Sequence, residues 1–143
     1  MNALAKDIFF GMARANPSLN NEFVAELAYV RSASASRRIA PFFRNAATWE
    51  LALLLAIAQG GDEASVYNSV EAVMSKALGK SALLKFIHEQ SQAGNLHLEE
   101  SAVKRSKRII RLDRAVEEEM TDLLDRRKEL LMDLSRTPSA TVN

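Results

Sequence analysis

Residues 79–114 read GKSALLKFIHEQSQAGNLHLEESAVKRSKRIIRLDR, and within this stretch the spacing of apolar residues changes from helical to alternating. Leu83, Phe86 and Ile87 recur at three- and four-residue intervals, which predicts a helix over Lys80–Ala93 with those three side chains inward. Gly79 interrupts the chain ahead of it, and Gly94 closes it as a left-handed cap. Leu96-His97-Leu98 then reads as a short strand, and Lys107–Leu112, rich in isoleucine and arginine, as a second. Between them Glu99–Ser106 reads as a polar hairpin loop. Asp113 can cap a long final helix, and Glu117-Glu118-Glu119 near its start complements the helix dipole.

Upstream, Thr48 has the chemistry of an N-cap for a helix over Trp49–Gln59 that is apolar nearly all round and therefore central. Gly60-Gly61 stops it. Asp62 is placed to cap the next helix, with Val66, Val70, Val73 and Met74 as its inner face. Further back, Leu4, Ile8 and Met12 predict a short amphipathic helix over residues 2–15, ended at Asn16-Pro17. Ser18 can cap a second helix carrying Phe23, Val24, Leu27, Ala28 and Val30. The run from Ser32 to Arg38 is weakly patterned and fits either a loop or a frayed helix end, and Pro41 suits the first turn of a segment with Phe42 and Phe43. The final helix bears the stripe Val116, Met120, Leu123, Leu124, Leu130, Leu131 and Leu134. Residues 137–143 read as a disordered tail.

A chain of 143 residues suits one folding unit and can bury a core without staples. With no cysteine, disulfides and thiolate chemistry are excluded. No leader pattern stands at the start, and the longest apolar run, Leu51–Ala58, is far short of the roughly 20 residues that span a bilayer. A cytoplasmic protein with no membrane partner is expected. The net charge of +1 hides an uneven distribution: residues 46–73 hold no Lys or Arg against four acids, whereas 74–114 hold nine against four. Such a placed basic block bears on partners more than on fold.

The order helix, turn, helix, short turn, helix, strand, basic loop, strand, long helix is that of a winged helix-turn-helix. A helix about 10–12 Å across fits the roughly 12 Å major groove of B-DNA. With Leu83, Phe86 and Ile87 inward, Lys80, Ser81, Leu84, Lys85 and His88 are left to face a groove, where lysine and serine bond base edges or phosphates and leucine touches a thymine methyl. Lys104, Arg105, Lys107, Arg108, Arg111 and Arg114 put six basic residues in eleven, a composition suited to phosphates or a narrow minor groove. The plainer reading of that run is a charged guard on a strand edge.

Thr48–Met120 resembles the core of the multiple-antibiotic-resistance regulator (MarR) family. The resemblance is carried by TWELALLLAIAQGG, EASVYNSVEAVM, GKSALLKFIHEQSQAGNLHL and KRSKRIIRLDRAVEEEM, most closely by the Ala-Gly-Asn-Leu after the reading helix and the Arg-Leu-Asp before the last one. Two places depart from the family pattern: the reading helix begins Lys80-Ser81 where a Ser/Thr-rich start is usual, and the wing loop is Glu99–Arg105 instead of an aspartate-rich, arginine-tipped one. The resemblance implies a mainly α fold in which residues 1–47 and 113–136 serve dimerisation and 48–112 bind DNA. It implies a homodimeric regulator, a repressor by expectation, that grips a palindromic operator. It also allows a small-molecule effector in a pocket lined by aromatics and Met12 near the dimer interface, against ordinary core roles for Trp49, Phe42 and Phe43. The alternative is a winged helix that no longer binds DNA and docks another protein.

Other signals lead elsewhere only weakly. Gly79-Lys80-Ser81 echoes a phosphate-binding loop, but Met74 stands where the motif needs glycine. His88 and His97 have no companions of metal-ligand spacing, and no nucleophilic triad can be assembled. Neither cofactor, metal nor enzymatic activity is expected.

Overall fold

The computed structural model describes residues 17–58, 64–101 and 107–136. Their secondary structure is mainly helical with one antiparallel hairpin: α1 Pro17–Ala35, α2 Ala40–Phe43, α3 Ala46–Ala58, α4 Val66–Ala72, α5 Lys80–Gln92, β1 Leu96–Glu100, β2 Arg108–Leu112 and α6 Arg114–Arg136. The expected helix over residues 2–15, the tail from 137, Gly60, Gly61, Asp62 and the loop residues 102–106 lie outside the described residues. Two compact units divide the chain, Met1–Ser32 with Asp122–Asn143, and Ala33–Thr121.

Within the first unit, α1 presents Ala25 and Tyr29 to a buried interior shared with Leu123 of α6. The Arg127 guanidinium lies 4.5 Å from the centre of the Tyr29 ring and donates to Glu26 Oε2 at 2.8 Å. Burial raises the Tyr29 phenol above its ordinary pKa, against the opposing pull of Arg127. Leu19, Phe23 and Val30 of α1 and Met132 of α6 are exposed, Phe23 by 60%. Pro17 and Ser18 fall within α1, and the side chain of Ser18, with its expected cap, lies outside the described residues. The weakly patterned run from Ser32 to Ala35 completes α1 as helix.

The second unit is built around α3. Its Ala47, Leu51, Ala52 and Leu55 are buried, as the near-absence of polar residues in AATWELALLLAIA dictates. The helix begins two residues before Thr48. Asn45 supplies the cap, its Oδ1 accepting from the Thr48 amide at 3.0 Å, while the buried Thr48 hydroxyl donates to the Phe42 carbonyl at 2.7 Å. Phe42 is fully buried and meets Phe86 edge to face at 5.4 Å; Phe43 meets Trp49 likewise at 5.0 Å. These rings are core contacts.

α4 is capped by Ser65, whose hydroxyl accepts from the Asn68 amide at 3.0 Å. It ends at Ala72, so Val73 and Met74 fall outside it, and Met74 is 85% exposed instead of facing inward. Ser65 also forms an isolated bridge with Ile109, and the Ile110 amide donates to the Ala64 carbonyl at 2.8 Å. This single rung fixes the start of α4 to the hairpin.

The hairpin pairs Leu96 with Leu112 through Glu100 with Arg108. Glu99 and Glu100, expected in the loop, are strand residues. Gly94 takes φ +84° where α5 hands over to β1. A Cβ there would meet nothing within 4 Å, so Gly94→Ala carries a backbone cost alone. We expect a loss of about 1–2 kcal/mol in urea unfolding.

Candidate nucleic-acid interface

α5 owes its orientation to its own pattern. Leu83 and Ile87 are buried one turn apart, and Phe86 between them reaches Phe42. Helical spacing then forces Lys80, Ser81, Leu84, Lys85 and His88 outward, and all five are exposed, Leu84 by 39%.

The electrostatics of that face are less simple than its composition. The Lys80 ammonium is hydrogen-bonded to Glu71 of α4, and this bond, then the charge of the same carboxylate, raises its pKa. Lys85 sits 4.0 Å from Glu89 one turn on, a weak surface pair. Lys80 therefore ties α4 to α5, a role not foreseen for it. Tyr67, one turn before Glu71, is 72% exposed beside them.

The turn between α4 and α5 is held from below by Glu50 of α3. Its Oε2 accepts from the Met74 amide and its Oε1 from the Ser75 amide, each at 2.8 Å. A forked carboxylate gripping two consecutive amides fixes the angle at which α5 is presented. One signal pointed to it in the sequence: Glu50 is the only charged residue of α3.

The basic run does not form one surface. Successive strand residues point to opposite faces, so Arg108 lies with Ile110 and Leu112, whereas Arg111 lies on the other face. There Arg111 donates to Glu99 at 2.7 Å, a diagonal cross-strand pair. Arg114 is on α6 and pairs with Glu118 at 3.0 Å. Lys107 and Arg108 make no ion pair among the described residues. Lys104 and Arg105 lie outside them.

At the end of the hairpin, Asp113 joins β1, α6 and the segment between α1 and α2. It accepts from His97 of β1 at 2.7 Å and from the Ala115 amide at 3.0 Å, capping α6 as expected, with Arg38 3.9 Å away. The His97 hydrogen bond, more than any charge, lowers the Asp113 carboxyl below the usual carboxylate range. A carboxyl whose pKa falls on folding lends stability above its unfolded value and loses it as pH drops through the folded one. Asp113→Asn is thus expected to be less stable than the natural chain at pH 7. The gap should narrow below about pH 4, read as urea midpoints at the two pH values.

No family model, curated protein or solved structure matches the chain. Among the described residues no group of three or more His, Cys, Asp or Glu is placed to hold a metal, and no helix is long and apolar enough to cross a membrane.

Proposed function

We propose that this chain is a MarR-like winged helix-turn-helix regulator, a repressor, that binds a palindromic duplex as a homodimer. The observation that carries the reading is the outward face of α5, Ser81, Leu84, Lys85 and His88, raised on a clamped turn beside an arginine-bearing hairpin. Two features add support. The rung between Ser65 and Ile109 ties the first helix of the turn to the wing, so the two would meet DNA as one body. The N-cap position of α5 is Gly79, which brings no capping side chain, leaving first-turn amides to a phosphate oxygen. Lys107 and Arg108, with Lys104 and Arg105, then hold the strands. The exposed Leu19, Phe23, Val30 and Met132 give two subunits apolar surface to share, and a palindromic operator offers its half-sites about 34 Å apart, one DNA turn.

Fluorescence anisotropy with the chain's own promoter DNA tests this across a salt series. The log–log slope is expected to be steep, and Lys85→Ala to lower it by about 0.9, the share of one phosphate contact. A flat salt dependence overturns the proposal. Replacing Arg105 and Arg108 together by alanine should weaken specific and unrelated duplexes alike, since phosphate contacts carry no sequence.

The ion pairs favour a second reading. Lys80, Lys85, Arg111 and Arg114 each face a glutamate, which reduces the field a polyanion would feel, and Tyr67 and Leu84 offer apolar contact instead. A winged helix that docks a protein would show no promoter binding by gel shift at any salt.

A further inference from the structure

On the second unit, away from the outward face of α5, a cleft of about 510 Å3 opens between the segment after α1, the last turn of α5 and the start of α6, lined by Arg37, Arg38, Pro41, Gln90, Asn95 and Glu119. Its walls carry opposite charges. Arg37 makes no ion pair among the described residues, and Arg38, half exposed, has only the Asp113 carboxylate at 3.9 Å. That distance is beyond a hydrogen bond, so both guanidinium forks keep donors to offer. On the other wall Glu119 Oε1 accepts from the Ser36 hydroxyl at 2.7 Å, which orients the carboxylate and leaves Oε2 for another donor.

The remaining wall is preformed. Asn95 Nδ2 donates to Gln90 Oε1 at 2.8 Å, the Asn95 amide to the Gln90 carbonyl at 2.9 Å, and the Asp113 amide to the Asn95 carbonyl at 2.9 Å. The two side-chain amides therefore hold each other in place, leaving the Gln90 NH2 to donate to a guest and the Asn95 Oδ1 to accept from one. That wall loses little entropy on binding, and the ordering cost falls on the two arginines.

We propose that this cleft binds a small zwitterion of the α-amino acid class, its carboxylate on Arg37 and Arg38 and its ammonium on Glu119. The charge pattern selects the guest. A plain anion would satisfy the arginines while pushing against the Glu119 carboxylate, and a plain cation would do the reverse. A molecule carrying both charges a few bonds apart satisfies each wall, and Arg forks match a carboxylate in two parallel hydrogen bonds. Gln90 lies on the helix that bears the outward residues, so the guest touches the element whose placement matters most. The proposal itself concerns ligand binding and stands whether or not α5 reads DNA.

The test is isothermal titration calorimetry on the full chain at pH 7 with each of the twenty amino acids, and with acetate, inorganic phosphate and ethylamine as half-ligands. At least one amino acid is expected to bind with a sub-millimolar Kd, and every half-ligand at least about tenfold more weakly, the worth of one charge-assisted hydrogen bond. Arg37→Ala with Arg38→Ala should cost about tenfold or more. Glu119→Gln keeps an acceptor for Ser36 and so keeps the fold, and is expected to cost a similar factor. It carries the test alone if the arginine double variant fails to fold. Lys128→Ala, exposed on the other unit, should leave amino-acid binding unchanged. The proposal is overturned if no amino acid binds up to about 10 mM, if a half-ligand matches the best of them, or if Glu119→Gln binds as well as the natural chain.

Discussion

Ile87→Ala is expected to cost about 2–5 kcal/mol of folding stability, a large share of what a chain this size possesses. Ile87 is wholly buried on the inner side of α5, one turn after Leu83 and next to Phe86, whose ring meets Phe42 edge-on. α5 packs against α3, α4 and β1, so a hole beneath Ile87 is bounded by elements that cannot all close on it. The cost is therefore the lost transfer of the removed carbons together with a residual cavity. Leu84→Ala, on the outward side and 39% exposed, is the matched comparison and should change stability by less than about 1 kcal/mol. Urea unfolding followed by circular dichroism at 222 nm reads both. If the two substitutions cost the same, α5 does not present the face assigned to it, and the interface loses its basis.

That contrast was legible in the sequence because it depends on periodicity alone. Leu83, Phe86 and Ile87 against Lys80, Leu84, Lys85 and His88 is a statement about one helix, and the left-handed Gly94 and the Asp113 cap are likewise local. What escaped depends on residues far apart in the chain. Asp62 and Ser65 both have the chemistry of a cap, and it is Ser65 that caps α4 while its backbone bridges Ile109. Thr48 is not the cap because the helix begins two residues earlier, where Asn45 accepts from the Thr48 amide, and the Thr48 hydroxyl donates to the Phe42 carbonyl instead. Glu50 stood out as the lone charge of α3, but that it grips the Met74 and Ser75 amides could not be read from spacing across more than twenty residues. The basic run failed in another way. Counted along the chain it is dense, yet the pleat of β2 sends Arg108 and Arg111 to opposite faces, and glutamates meet Arg111 and Arg114. A linear count of charge overstates a patch whenever a strand carries it.

The second large effect follows from that corrected picture. If Lys85 on α5 and Arg108 on β2 touch phosphates, Lys85→Glu with Arg108→Glu should lower duplex affinity by about two orders of magnitude in low salt and reduce the log–log salt slope by about 1.8, two contacts at about 0.9 each. Both side chains are exposed and neither has a strong partner, since Lys85 has only Glu89 at 4.0 Å. The double variant should therefore keep its melting temperature, and the loss is one of binding. Arg111→Glu provides the internal comparison. Its guanidinium is engaged with Glu99 on the opposite face of the hairpin, so its reversal removes a cross-strand pair and sets two glutamates together, costing stability with little change in slope. Glu71→Gln should act in the other direction: it removes the charge that holds Lys80 between α4 and α5, and a freed ammonium beside the first turn of α5 raises affinity and steepens the slope by up to one contact. Anisotropy on the promoter duplex between about 50 and 200 mM salt separates these cases. A double variant that binds as the natural chain does would remove DNA from the outward face of α5 and leave that face to a protein partner.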